Sequence, residues 1–375
     1  MQVSKLIKVK HILEISKGII IATLLLLITN PIFSQKQDQV NFDRYYSENF
    51  TYTKGLSQNY VYAILQDKHG YMWFGTWDGL NKYDGYNYTI YNTSDGLSDH
   101  TIRCMVEDGL GNLWVGTNRG LNKFNRRKQT FEQFNFQSAD SADQFLSTVR
   151  SIVISNDTVM WIGTRNGLFN FNPKTGNYTS YFSSVNQDLI SPRSNYITHI
   201  CKAQDGILWL STTYGLVKFD PVTKRSTRYY HIPNDSTSLS NNYINCVIED
   251  KSGNFWIGTS GGLNYYDAIT QKITRYYHNP ANPNSLSGDN ILSLFESKNG
   301  AIWVGTNNNG LNKYIREKNQ FVRYKRDFNN KSSLSNNRIY SLFEDNTGNL
   351  WIGTYDCGLY ILNRADAKLK PYFPD

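Results

Sequence analysis

Trp77-Asp78, Asn118-Arg119, Arg165-Asn166, Thr213-Tyr214 and Tyr355-Asp356 stand at one recurring place, just past a repeated tryptophan, and of all the residues in this chain they are the best equipped for chemistry. An aromatic face stacks on the C–H face of a sugar ring, while planar Arg, Asn and Asp groups take its hydroxyls. Trp77, Asp78, Arg119, Arg165, Asn166, Tyr214, Tyr355 and Asp356 are therefore the candidate contacts for a polar, ring-bearing ligand. The bland alternative is that they are variable loop residues, or a surface that docks a second domain.

His199 joins the candidates because it occupies a position where the other repeats place a small residue. A proton-transfer role would require a nucleophile or carboxylate within reach, and the sequence shows no motif for one. A structural or channel-lining histidine is the expectation, and no catalytic residue is assigned. The recurring Glu107-Asp108, Glu249-Asp250 and Glu344-Asp345 could suggest calcium, but one such loop holds too few oxygens for a cage. Each Asp is expected to accept N–H groups of its own turn, and no metal or cofactor is expected. Two enzyme readings stay open. The Asp-x-x-Gly-x-x-Trp turn is similar to the Asp box of sialidase propellers, although its Asp-to-Gly spacing is one residue longer and no paired acid and nucleophile is visible. A propeller lyase acting on a polysaccharide or cyclic ester could use His199 or His100 as its base. Quinone-binding propellers are disfavoured by the number of repeats and the missing cofactor ligands.

The elements that must position these residues are repeats. Trp-x-Gly-Thr recurs at Trp73, Trp114, Trp161, Trp209, Trp256, Trp303 and Trp351, with Ser211 the one departure at the Gly position, and the intervals are 41, 47, 48, 47, 47 and 48 residues. Such a period is the mark of a repeat array. Each unit reads as four short strands. The first begins twelve residues before the Trp, at Val61, Ile102, Val149, Ile197, Ile244, Ile291 or Ile339. An Asp-x-x-Gly turn usually follows, then Trp-x-Gly-Thr, then a strand opened by Gly-Leu with an aromatic three residues later, then an aromatic-x-x-aromatic strand.

Four antiparallel strands per unit predict an all-β, seven-bladed propeller over residues 35–375, with the tryptophans packed between blades and their N–H groups on backbone acceptors. Ten residues before each Trp stand Ala63, Cys104, Ser151, His199, Cys246, Ser293 and Ser341. All but His199 are small, as crowding round an axis requires. Strand alternation puts the return loops and the second-to-third turns on one face and the Asp-x-x-Gly turns on the other. Both Phe42–Tyr45 and Leu369–Tyr372 fit the outer-strand pattern, and the N-terminal one is expected to complete the last blade.

Residues 1–34 read as an export signal, with lysines first, an apolar run from Ile19 to Ile28, and a break at Asn30-Pro31. The expected location is therefore the periplasm, with no membrane contact after cleavage. The formal charge of +8 falls to +5 once Lys5, Lys8, Lys10, Lys17 and Glu14 are set aside, and the basic residues are scattered, which argues against a nucleic-acid groove. Cys104, Cys201, Cys246 and Cys357 are expected to be mostly buried free thiols, since repeat register holds Cys104 and Cys246 in separate blades.

The run Asp345 to Leu359, with its Asp-x-x-Gly-Asn-Leu-Trp-Ile-Gly-Thr and Gly-Leu, resembles the two-component-regulator propeller repeat of periplasmic sensor regions in hybrid two-component systems, and residues 42–375 carry seven copies. The resemblance implies a sensor that recognises carbohydrate fragments, with an oligosaccharide or similar small molecule and a second propeller or sensor chain as partners. It also implies a kinase, a receiver and a DNA-binding part beyond the propellers. With none of these before Asp375, the expectation is a truncated or split sensor, or a stand-alone binding protein, and no enzyme. A non-catalytic interaction scaffold is the other alternative.

Overall fold

The computed structural model describes residues 55–136, 144–182, 195–327, 329, 333–363 and 369–371. The described residues form seven four-stranded antiparallel sheets, each built from four consecutive strands, and contain no α-helix. The first blade is Val61–Gln66, Met72–Thr76, Gly79–Tyr83 and Tyr88–Tyr91, and the inner strands of the others begin at Ile102, Val149, Ile197, Ile244, Ile291 and Ile339. Short strands separated by tight turns, with glycine at the left-handed turn position (Gly253, φ +78°), leave little choice but local hairpins.

The glycine of Trp-x-Gly-Thr is a packing requirement. Gly75, Gly116 and Gly258 pair across the sheet with Ala63, Cys104 and Cys246. A Cβ on Gly258 would meet the Cys246 Sγ and the Cγ2 of Ile291, from the next blade, each at 2.7 Å. Each blade's second strand is thus pressed against the first residue of its neighbour's inner strand, which sets the spacing of the ring. The tryptophans lie in the same joints. Trp73 meets Phe124 at 5.3 Å, Trp114 meets Phe171 at 5.7 Å and Trp256 meets Tyr314 at 4.8 Å, in every case an aromatic of the following blade.

In four blades the indole N–H finds a carboxylate rather than the expected backbone acceptor. Trp73, Trp114, Trp256 and Trp351 donate to Asp67, Asp108, Asp250 and Asp345 at 2.9, 2.8, 3.2 and 2.8 Å. The same Asp accepts N–H groups of its turn, as Asp250 does from Ser252 at 2.9 Å and Asn254 at 3.1 Å. The adjacent Glu reaches in the opposite direction. Glu107, Glu249 and Glu344 accept backbone N–H groups of Lys68, Gln204 and Lys298 from the preceding blade, at 2.7, 2.8 and 2.6 Å. The Glu-Asp pair is therefore a joint between blades, and no group of His, Cys, Asp or Glu among the described residues is arranged to hold a metal.

The ring closes as the other joints do. Trp351 packs with Val61, Phe74 and Tyr83 of the first blade, Ser341 Oγ donates to the Val61 carbonyl at 3.1 Å, and Gly358 N donates to Asn59 O at 3.1 Å. The outer strand of the seventh blade is Leu369–Pro371, so the C-terminal segment, not the N-terminal one, completes that blade. The two segments are equivalent by pattern; the Leu369 strand follows its neighbour Leu359–Leu362 by a short local connection, whereas Phe42–Tyr45 and the export segment fall outside the described residues.

Every inner strand also carries a β-bulge at its second residue. The bulged residues are Tyr62, Arg103, Arg150, Thr198, Asn245, Leu292 and Tyr340, each skipped by the register between its neighbours. A bulge leaves one residue out of the ladder and re-aims its side chain. Here it does so seven times around one axis.

Candidate functional site

All seven bulged residues line a single axial cavity of about 420 Å³, together with the small residues Ala63, Cys104, Ser151, Cys246, Ser293 and Ser341 and with His199. The small side chains let the inner strands converge. Further along the strands the wall turns apolar, at Ile64, Met105, Ile152, Leu294 and Leu342. Among the described residues no Asp, Glu or Lys lines the cavity, and the formal charges they bring to it are the guanidiniums of Arg103 and Arg150.

The mouth of the cavity opens on the face of the second-to-third turns. Arg103 Nε donates to Asn118 Oδ1 of its own turn at 2.8 Å, and its guanidinium lies 4.8 Å from the centre of the Tyr62 ring and 6.0 Å from that of Trp77. The turns themselves are tied to the entry of each inner strand, as in Trp77 N to Tyr60 O at 3.2 Å and Tyr355 N to Arg338 O at 3.0 Å. Strand alternation thus assigns the two faces correctly.

The structure brings some of the candidate residues together and leaves others apart. Tyr60 joins Trp77 (6.2 Å) to Tyr355 (4.3 Å), Tyr340 lies between Tyr62 (5.1 Å) and Tyr355 (5.9 Å), and the Arg338 guanidinium covers Tyr355 at 4.3 Å. Trp77 is 45% exposed, so its face is open to solvent. Arg165 lies over Tyr196 at 5.4 Å on the next arc of the rim. Asp78 and Asp356 are exposed beside this cluster. By contrast Arg119 is drawn to Asp99, at 3.4 Å, and Tyr214 packs on Tyr230 of its own blade at 5.5 Å. The Asn166 backbone N–H caps Thr164 Oγ1 at 3.0 Å.

The charges of the rim act on one another. Burial lowers the Arg103 pKa, and the charge of Arg150 lowers it further. Burial alone would raise the Tyr196 hydroxyl, yet Arg150, Arg165 and Arg103 together bring it below the usual tyrosine range. This side of the mouth is therefore a positive field set among tyrosines, and among the described residues Arg103 and Arg150 have no ion-pair partner.

His199 lines the cavity as expected but is not presented as a base. Its Nδ1 is buried without a partner, as is the Oγ of Ser211 opposite it in the sheet. Burial pushes the imidazole down to about 4, against the opposing pull of its hydrogen bond with the Val247 backbone. A histidine whose folded pKa lies below the ordinary 6.5 leaves stability intact above pH 6.5 and removes it as the pH falls toward 4. His199→Ser is expected to abolish an acid-side loss of roughly 2 kcal/mol by pH 5, read as the difference in urea midpoint between the two proteins from pH 7.5 to 5.

Cys104, Cys201, Cys246 and Cys357 are free; burial pushes the Cys104 and Cys246 thiols up to about 12 and Cys201 to about 11, so these three are inert packing groups.

Tyr62, Arg103, Arg150, Tyr196 and Tyr340 are functional candidates that the sequence pattern of the turns does not reveal. A signal for four of them, Tyr62, Arg103, Arg150 and Tyr340, is nonetheless present: the residue eleven before each Trp varies widely while its neighbours on both sides are restricted. Only the bulge shows that this variable place faces the axis.

A family model for the two component regulator propeller matches residues 55–78, 96–119, 191–214, 238–261, 285–308 and 333–356. The third blade, whose first hairpin turns at Asp157-Thr158 instead of Asp-x-x-Gly, is outside these segments. The extracellular domain of a hybrid two-component system from B. thetaiotaomicron is 28% identical with a TM-score of 0.68, over 82% of this chain and 40% of that one. A second such extracellular domain from the same source is 29% identical with a TM-score of 0.67, over 86% of this chain and 39% of that one. Virginiamycin B lyase from Staphylococcus aureus, at 12% identity and a TM-score of 0.60, covering 82% of this chain and 95% of its own, shares the fold alone. A stretch of 44 residues is 54% identical to histidine kinase P4 of Formosa agariphila, which is 12% of this chain and 3% of that protein. The chain thus spans about two fifths of the sensor domains it resembles and a small fraction of the kinase. No helix among the described residues is long and apolar enough to cross a membrane.

Proposed function

The chain belongs to the two-component regulator propeller repeat family, and from that premise we propose that it is the ligand-sensing part of a two-component system, exported to the periplasm by residues 1–34 and recognising an oligosaccharide. The observation that carries the reading is the grouping of Trp77, Tyr355, Tyr60, Tyr62 and Tyr340 with Arg103 and Arg338 on one face at the mouth of the axial cavity. Open aromatic faces beside planar hydrogen-bonding cations are the surface a sugar ring requires. Arg165 and Asn166 extend the rim, while Arg119 and Tyr214, already held by Asp99 and Tyr230, contribute less. The kinase and gene-regulating steps belong to other segments or chains, and the propeller itself turns over no substrate.

A thermal-shift screen against neutral and acidic oligosaccharides tests this. A ligand at a hundred times its Kd adds about 2.7 kcal/mol to the folded state, enough to raise Tm by a few degrees. Such a shift without product, lost in Trp77→Ala, is the expected result. No shift with any member, or product formation that disappears in His199→Ala, would overturn it in favour of a docking ring or a lyase.

A further inference from the structure

The cavity beneath the aromatic rim has a charge that a neutral sugar would not use. Its wall carries Arg103 and Arg150 and, among the described residues, no carboxylate, and Asp99, the buried acid nearest in the chain to Arg103, is already engaged by Arg119 at 3.4 Å. Arg103 spends its Nε on Asn118 and lies against the Tyr62 ring, which aligns its guanidinium without neutralising it. Both arginines are bulged residues, so their direction is fixed by the ladder on either side and little is lost in ordering them. Unpaired, half-buried guanidiniums beside tyrosine rings form a receptor for a planar or tetrahedral oxyanion carried on a ring.

We infer that the axial mouth selects an acidic sugar, a uronate- or sulfate-bearing unit of an oligosaccharide, with its anionic group on Arg103 and Arg150 and its ring against Tyr62 and Tyr340. The cavity of about 420 Å³ accommodates a unit of that size. The inference deepens the proposed function and rests on it.

The test uses the exported chain and isothermal titration with three matched panels: uronate-containing, sulfated and neutral oligosaccharides. At least one acidic panel member is expected to bind ten-fold or more tightly than its neutral counterpart, with affinity falling as salt rises. Arg150→Gln should weaken that ligand ten-fold or more and leave any neutral ligand within two-fold, while Arg150→Lys, which keeps the charge, should recover part of the loss. A circular dichroism melt checks that each variant is folded; if Arg150→Gln is not, Arg103→Lys serves, with the loss of bidentate geometry as its readout. The uronate and sulfate arms tell the two anions apart. Neutral sugars binding as well as acidic ones, or Arg150→Gln leaving acidic affinity unchanged, overturns the inference while sugar sensing stands. Binding by no panel overturns both.

Discussion

Trp256→Ala is expected to lower stability by about 3–5 kcal/mol, the largest effect of any single substitution proposed for this chain. Trp256 is 1% exposed and fills the joint between the fifth and sixth blades, with Tyr265 at 4.9 Å, Tyr276 stacked at 5.8 Å, and Tyr314 of the sixth blade at 4.8 Å. Ile291, Ile302, Val304 and Phe321 complete the cluster. Truncation leaves a void that two rigid sheets cannot collapse to fill, and it also frees Asp250 from its indole partner. Trp77→Ala removes the same residue type from a place that is 45% exposed and should change stability by no more than about 0.5 kcal/mol. Guanidinium chloride midpoints of the two variants check the contrast. Equal losses would mean that Trp256 is not the wedge between blades.

Asp67→Ala should cost about 3 kcal/mol, because one carboxylate holds four donors. Its Oδ1 accepts His69 N at 2.9 Å and Tyr71 N at 3.0 Å, and its Oδ2 accepts Trp73 Nε1 at 2.9 Å and Arg126 Nη1 at 2.9 Å. The carboxylate is fully buried, and Arg126 reaches it from the second blade while binding Glu107 at 3.0 Å and the Gly111 carbonyl at 3.2 Å. Removing the acid strands an indole N–H and half of a guanidinium in the joint. Asp67→Asn preserves shape and the two turn bonds, but it turns an amide N–H toward two other donors, so it should recover less than half of the loss. Denaturation midpoints of the three proteins decide this; full recovery by Asn would show that the turn bonds alone account for the effect.

Both expectations come from the way the motif works. Asp and Trp sit six residues apart because the hairpin between them folds the carboxylate back onto the indole, and the Trp then serves the next blade rather than its own. The Glu before the Asp serves the preceding blade, as Glu107 and Glu249 do. A motif that resembles a metal loop in one dimension is, in three, the fastening on both sides of each sheet.

Much of this is legible in the amino-acid order. Period, strand starts and the small residues ten before six of the seven tryptophans depend on local geometry and on crowding at an axis, and those constraints recur from repeat to repeat, so they are written along the chain many times over. The two faces follow from alternation in the same way. The terminal strand is not decided there, because Phe42–Tyr45 and Leu369–Tyr372 carry the same pattern and only pairing with Leu359–Leu362 picks one. Nor is the site complete. The variability of the bulged position is visible but not its direction, because a bulge adds one residue to a ladder and breaks the alternation from which Tyr62, Arg103, Arg150 and Tyr340 would have been assigned one. Their charge and aromaticity are visible in the sequence; that they meet around one axis, with no acid among them, is a property of closure, since only a ring brings residues some 47 positions apart in the chain to the same mouth.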